Sequence, residues 1–301
     1  MSELTTESKY GLNRGNLKMI ALFCMTLDHF GVMILESWMK LYDKTSNEYS
    51  LISFFDANIR LIGRIAFPIF CFFIVEGLIH TRNIYKYALR LFLLAIISEI
   101  PFDMLIAHRY FHSTYQNVFW TLLIGLVTIY CINGIFNTSL PNAPKYIFTA
   151  IVSLCGAYLA EWLKTDYGCT GVLAIVLIYL IGKEYYVLGT AVFVLVQGLE
   201  FYSMQKFSLL WIVYGALSSA VYGIALILCK RIANAESRKI FAGVLALCCL
   251  NPVEIAALID MAFFKYFNGE KGKRIGWLFY FYYPAHLLVL SLICKLVGLY
   301  R

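Results

Sequence analysis

The chain has 301 residues, of which 61% are hydrophobic and 14% charged, with a mean hydropathy of +0.73 and a formal net charge of +7. So little charge excludes a soluble domain of this size and predicts an all-α, polytopic membrane helical bundle. The positive charge then belongs to Lys and Arg at helix ends rather than to a nucleic-acid surface, so no nucleic-acid partner is expected.

Residues 1–16 form a polar N-terminal segment without an apolar signal region, and 17–301 read as one integral-membrane domain. The first span, Leu17 to Leu35, is long enough to cross a bilayer and is expected to stay as an uncleaved anchor. It carries Asp28 and His29 side by side. A charge at that depth costs roughly 2.5–3.5 kcal/mol on insertion scales, so it needs a reason. At about 100° per residue, Lys18, Leu22, Met25 and His29 share one stripe, with Lys18 about 16 Å from His29, at the membrane edge. Asp28 points along an adjacent direction and so lines a neighbouring wall. The plain reading of His29 is a core histidine bonded to another helix; the functional one is a general base.

Glu36 to Ala57 reads as an exposed loop with room for a short interfacial helix, and Asn58 to His80 as a second span holding Arg60, Arg64, Pro68 and Glu76. Pro68 removes the amide that the Arg64 carbonyl would accept, which predicts a kink beside that charge. Arg60 and Arg64 share a face and suit phosphate or carboxylate recognition; the alternative is that Arg64 pairs with Glu76 or Asp28. The third span, Tyr87 to Ala107, places Arg90 and Glu99 on opposite faces. With Arg82 and Lys86 in the preceding turn, Arg90 makes a basic edge where an anionic cosubstrate docks.

Further spans follow at Asn117 to Phe136, Tyr146 to Leu163, Thr170 to Ile181, Glu184 to Tyr202 and Phe207 to Cys229, nearly free of charge. Asp166-Tyr167-Gly168 is either a helix cap or a substrate contact. Ile240 to Phe264 reads as one more span, interrupted at Asn251-Pro252, and Ile275 to Val297 as the last. That makes about ten transmembrane helices. Tyr282, Tyr283 and His286 share a face of the last span, the tyrosines reading as an interfacial belt or as site residues. Charge bias places the N-terminus in the cytoplasm, except that Lys265, Lys271, Lys273 and Arg274 then fall on the opposite side. The nine cysteines lie in apolar surroundings with no ligand spacing, so neither a disulfide nor a metal site is expected. Polar residues clustered in the first three spans and the last imply a shared polar intramembrane cavity.

The stretches LKMIALFCMTLDHFG, IGRIAFPIFCFFIVEGLIHTRN, YALRLFLLAIISEIPFD, DYGCTGVL and WLFYFYYPAHLLVL, in this order, resemble the TraX family. The matching motif positions are Asp28, His29, Gly63, Arg64, Pro68, Glu76, Gly77, Arg90, Pro101, Tyr283, Pro284 and His286. The resemblance implies a multi-pass acyltransferase of the bacterial cytoplasmic membrane that uses cytoplasmic acetyl-CoA as donor, with no metal. The family's named member acetylates pilin N-termini. That substrate does not carry over, which leaves a membrane-associated acceptor: a peptide, a pilin-like N-terminus or a surface polymer. In the mechanism this implies, His29 is the base, with Asp28 or Glu76 stabilising the imidazolium. Arg64, Arg82, Lys86, Arg90 and Lys18 hold the donor's phosphates. His286 and Tyr283 donate to the thioester oxygen, and Arg60, Glu99, Tyr283 and Asp166 meet the acceptor. The rival readings are a transporter or exporter using the same buried charges, and a non-catalytic factor in surface-polymer assembly.

Overall fold

The computed structural model describes residues 11–107, 109–203, 209–272 and 276–299. Every regular element among them is a helix. Helix α1 (Arg14–Phe30) begins at Asn13, whose side chain accepts from the Asn16 amide, a standard way to satisfy a first-turn donor. It runs on through a π turn (Gly31–Leu35) into α2 (Glu36–Met39), 26 residues in all. The π turn falls where Gly31 meets α3 (Asn47–Gly63); a Cβ there would stand 2.8 Å from Asp56 Oδ1.

The polar stretch from Glu36 to Ala57, read as a loop with room for a short helix, is helical over most of its length. Ser46 caps α3 by accepting from the Tyr49 amide, and the polar residues mark an amphipathic helix rather than a connection. From α3 the chain enters α4 (Ala66–His80), a broken helix that counts as one span. The break is at Arg64 and Ile65, four residues before Pro68, as the missing amide predicts.

The remaining helices are α5 (Ile84–Ala107), α6 (Val118–Phe136), α7 (Asn142–Trp162), α8 (Gly168–Gly182), α9 (Tyr186–Ser203), α10 (Leu209–Cys229), α11 (Ala235–Leu250), α12 (Asp260–Lys265) and α13 (Gly276–Leu296). Helix α8 is apolar all round and packs against α4, α6, α7, α9 and α11, so nearly all of it is buried. On α10, by contrast, Leu209, Leu210, Ile212, Leu217, Ile224 and Ile227 lie exposed on the outside. Such a surface suits lipid rather than water. Six helical stretches are long and apolar enough to cross a bilayer, with Gly168–Gly182 and Tyr280–Leu296 as shorter apolar helices. These stretches, counted among the described residues, do not establish the expected number of about ten.

The reading of Ile240 to Phe264 as one crossing is corrected by a hairpin. Helix α11 ends at Asn251, whose backbone is extended (φ −135°, ψ 104°), and Pro252 opens a 3₁₀ turn (Pro252–Ile259) that leads back along α11 into α12. Asn234 at the start of α11 donates to the Lys265 carbonyl at the end of α12 (3.4 Å), so both feet of the hairpin stand at one end of the bundle. That end also holds the chain's first helix: Leu12 and Phe267 form a bridge, and the Arg14 amide donates to the Glu270 carbonyl (2.9 Å). Lys265 and Lys271 therefore join Arg14, Lys18, Arg82, Lys86, Lys230 and Lys239 at this proximal end; Lys273 and Arg274 lie outside the described residues. The loop that seemed to oppose the charge bias now agrees with it.

This topology is testable with a membrane-impermeant maleimide. With exposed Cys131 and Cys155 replaced by Ala, Lys271→Cys and Thr45→Cys will label from opposite faces of sealed vesicles. Labelling from the same face would refute the hairpin.

Candidate functional site

A cavity of about 620 Å³ opens between α1, α4, α5, α6 and α13 at the proximal end. Its mouth is basic: Arg14 and Lys18 come from α1, Arg82 from the α4–α5 turn, and Lys86 and Arg90 from successive turns of α5. Its depth is apolar, with Leu22 and Met25 continuing the α1 stripe past Phe73, Leu91 and Leu122 to Phe119 and Tyr283. From Arg14 to Met25 is eleven residues, about 16 Å of helix. The structure thus brings together Lys18, Arg82, Lys86 and Arg90, as the sequence expects.

Glu76 sits at this mouth and not beside His29. It accepts from Arg14 (2.8 Å), faces His80 Nε2 (3.2 Å) and lies 3.9 Å from Lys239. It ties α1, α4 and α11 together some fifteen residues of α1, about 22 Å, from the His29 level. Next to it, only a glycine at position 77 lets α5 come so close, since a Cβ would collide with the Tyr87 ring.

Deeper in the bundle, His29 Nδ1 lies 2.7 Å from His286 Nε2, joining α1 to α13 across 257 residues of sequence. The rings stack at 4.9 Å. Their protonation pattern follows from a third atom. His286 Nδ1 is 2.8 Å from the Tyr282 carbonyl oxygen, which can only accept, so His286 carries its proton on Nδ1. Its Nε2 then accepts from His29 Nδ1–H, and His29 keeps a bare lone pair on Nε2. No hydrogen bond to that nitrogen exists among the described residues. Tyr282 stacks on His286 (5.1 Å) and its hydroxyl meets Thr26 Oγ1 at 2.6 Å, fixing the ring from its other side.

Tyr283 stands between cavity and histidines. It is 3% exposed, lines the deep end of the cavity, and sets its ring edge-on to His29 (5.7 Å), His286 (5.5 Å) and Phe119 (4.9 Å). Its hydroxyl has no hydrogen-bond partner among the described residues. Tyr282 and Tyr283 thus face the interior rather than forming an interfacial belt.

A second, smaller cavity of about 190 Å³ lies at the hairpin tip and holds Arg64, Tyr115, Asp166 and Glu254. Arg64 is separated from the basic mouth: among the described residues the carboxylate it pairs with is that of Glu254 (3.1 Å), not Glu76 or Asp28. The sequence marks Glu254 only as the end of the Asn251-Pro252-Val253-Glu254 interruption and not as a site residue. Asp166, in the α7–α8 connection, accepts from the Tyr115 hydroxyl (2.9 Å). Burial pushes its carboxyl up to about 6, with the Tyr115 hydrogen bond working the other way. Asp28 does not touch His29. It pairs with Arg60 (3.7 Å), which also binds Glu36, and it packs where a Cβ on Gly63 would overlap it. Glu99 accepts from Asn117 and from Trp120 (3.0 Å), bracing α5 against α6.

Residues 13–241 match the family described as "TraX protein". The chain is also similar to "Probable fimbrial assembly protein FimC, serogroup H1" of Dichelobacter nodosus, 25% identical over 284 residues, covering 91% of this chain and 92% of that protein. No solved structure matches.

Proposed function

The chain belongs to the TraX family, and from that membership we propose that it is a membrane-embedded acyltransferase carrying an acetyl group from acetyl-CoA to an amine or hydroxyl acceptor used in pilus or other surface-polymer assembly. The observation that carries this reading is the basic-mouthed cavity, which runs about 16 Å along α1 and ends at Tyr283 against the His29–His286 pair. Five cations at the mouth suit the phosphates of CoA, and the apolar depth suits its extended pantetheine arm. The proximal end, with its excess of Lys and Arg, faces the cytoplasm where acyl-CoA is found, in a bacterial cytoplasmic membrane.

His29 Nε2 takes a proton from the acceptor as its nitrogen or oxygen bonds to the thioester carbon. The oxygen of that carbon gains charge, and the unpartnered Tyr283 hydroxyl donates to it. The carbon–sulfur bond then breaks, and the thiolate receives the proton held on His29. His286 touches no reacting atom in this scheme; it positions His29 and fixes its tautomer.

The test is protein in nanodiscs with labelled acetyl-CoA. Binding, together with release of CoA thiol that depends on an added acceptor, is expected; absence of both would overturn the reading. Arg82→Ala, Lys86→Ala and Arg90→Ala together will raise KM for acetyl-CoA tenfold or more and leave kcat within about twofold, because their contacts hold substrate and transition state alike. A change confined to kcat would move these residues out of the donor site. The name of the fimbrial relative supports a second reading, a non-catalytic assembly role. In that case His29→Gln would leave pilus or polymer assembly intact.

A further inference from the structure

We infer that Phe119 closes the deep end of the donor cavity and sets the length of acyl group the site admits, restricting it to the shortest. The inference rests on the acyl-CoA reading of that cavity; the wall itself follows from where the rings stand.

Nothing in the sequence marks this residue: Phe119 is one apolar side chain among many in the span that begins at Asn117. In the structure it belongs to the first turn of α6, at the end of the cavity opposite the basic mouth. Its ring meets the Tyr283 ring edge-on, with centroids 4.9 Å apart and planes at 80°. Aromatic rings at that separation are in contact, so no alkyl chain passes between them. A thioester whose carbonyl reaches the Tyr283 hydroxyl, with its arm filling the apolar shaft, has these two rings in front of its acyl group.

Neither ring is free to step aside. Tyr283 is held against His29 (5.7 Å) and His286 (5.5 Å). The Phe119 backbone is pinned on both sides. Its amide donates to Asn117 Oδ1 (3.0 Å), and Asn117, fully buried, donates in turn to the Ala95 carbonyl of α5 (2.8 Å) and to Glu99. On the other side, the Trp120 indole donates to the same Glu99 oxygen (3.0 Å). The first turn of α6 is thus tied to α5 before and after Phe119. With the backbone fixed, the ring moves only by leaving its rotamer, which costs energy in a packed wall.

The sides of the shaft are different in kind. Leu22, Met25, Leu91, Leu94 and Leu122 line it with aliphatic side chains, which give the arm an apolar surface but do not end it. Phe119 touches no reacting atom in the scheme above, so it acts by occupying space and can be cut back without touching Tyr283 or the histidines. In an apolar pocket, one methylene too many or too few is worth roughly 10–200-fold. Replacing the Phe119 ring by a methyl group opens room for a longer alkyl chain at the only place where the chain would otherwise collide.

The test uses thioether analogues, which bind without reacting. S-ethyl-CoA and S-hexyl-CoA are titrated against labelled acetyl-CoA on the full chain in nanodiscs, with empty nanodiscs as the control for partition into lipid. We expect the wild type to bind S-ethyl-CoA at least tenfold more tightly than S-hexyl-CoA, and Phe119→Ala to shrink that ratio at least fivefold. A wild-type ratio under tenfold, or a Phe119→Ala ratio that falls by less than fivefold while CoA itself still binds, would overturn the inference. Should Phe119→Ala not bind CoA, Phe119→Leu decides by the same ratio: a fall supports the inference and an unchanged ratio overturns it. Absence of CoA binding in the wild type overturns the donor reading and the inference with it. CoA bound without a preference for the shorter chain overturns the inference alone.

Discussion

His29→Ala is expected to lower acetyl transfer by about 10²–10⁴-fold, the range that a positioned general base contributes. The reason is the order of protons along three atoms. The Tyr282 carbonyl accepts from His286, His286 accepts from His29, and only then is His29 Nε2 bare and free to take a proton. His286→Ala removes the acceptor for His29 Nδ1–H, so the His29 ring is free to place its proton on Nε2, where it no longer serves as a base. That variant should lose kcat by tenfold or more while KM for acetyl-CoA stays within about twofold, since neither histidine lines the donor cavity. Imidazole added to His29→Ala should return part of the rate, which a purely structural loss would not allow. Transfer by His29→Ala within fivefold of wild type would remove His29 from the chemistry.

Much of this site was legible in the sequence because a bilayer taxes every polar residue in it. Lys18, Leu22, Met25 and His29 on one stripe of α1, and Lys86 with Arg90 on α5, could be placed by helix period alone, and the cavity wall follows those stripes as far as Met25, with His29 beyond it behind Tyr283. The kink before Pro68 came from one missing amide. Direction was not legible. Ile240 to Phe264 has the length and hydropathy of a crossing, and hydropathy is the same for a helix that goes through and a hairpin that returns. The turn was written in Asn251-Pro252, but so is a kink. Partners were not legible either. Arg64 had Glu76 and Asp28 as near neighbours in sequence, and the residue it bonds, Glu254, is 190 positions away. The same holds for His29 and His286, both nominated but not as a bonded pair. For α3, the error was one of reference: exposed polar residues such as Asn47, Glu48 and Ser50 look like a loop when only lipid-facing character is counted.

The largest expected loss of stability lies at the same hairpin. Arg64→Ala leaves Glu254 as a buried carboxylate without its guanidinium, and breaking a buried pair from one side costs about 3–5 kcal/mol. Glu254 is 3% exposed, so its lost partner is replaced only by what the small cavity beside it admits, not by bulk solvent. The damage should be local at first, because Arg64 sits at the break between α3 and α4 and Glu254 at the hairpin tip, and their contact is what holds the tip against that break. In detergent, Arg64→Ala should melt well below wild type, and the hairpin should become cleavable by protease near Asn251. Glu254→Gln in the same chain should recover much of the loss, since an uncharged amide needs no counter-ion. The double-mutant cycle decides the point. If the two substitutions add instead of compensating, the pair carries no coupling energy, and the tip is held by the packing of α11 and α12 alone.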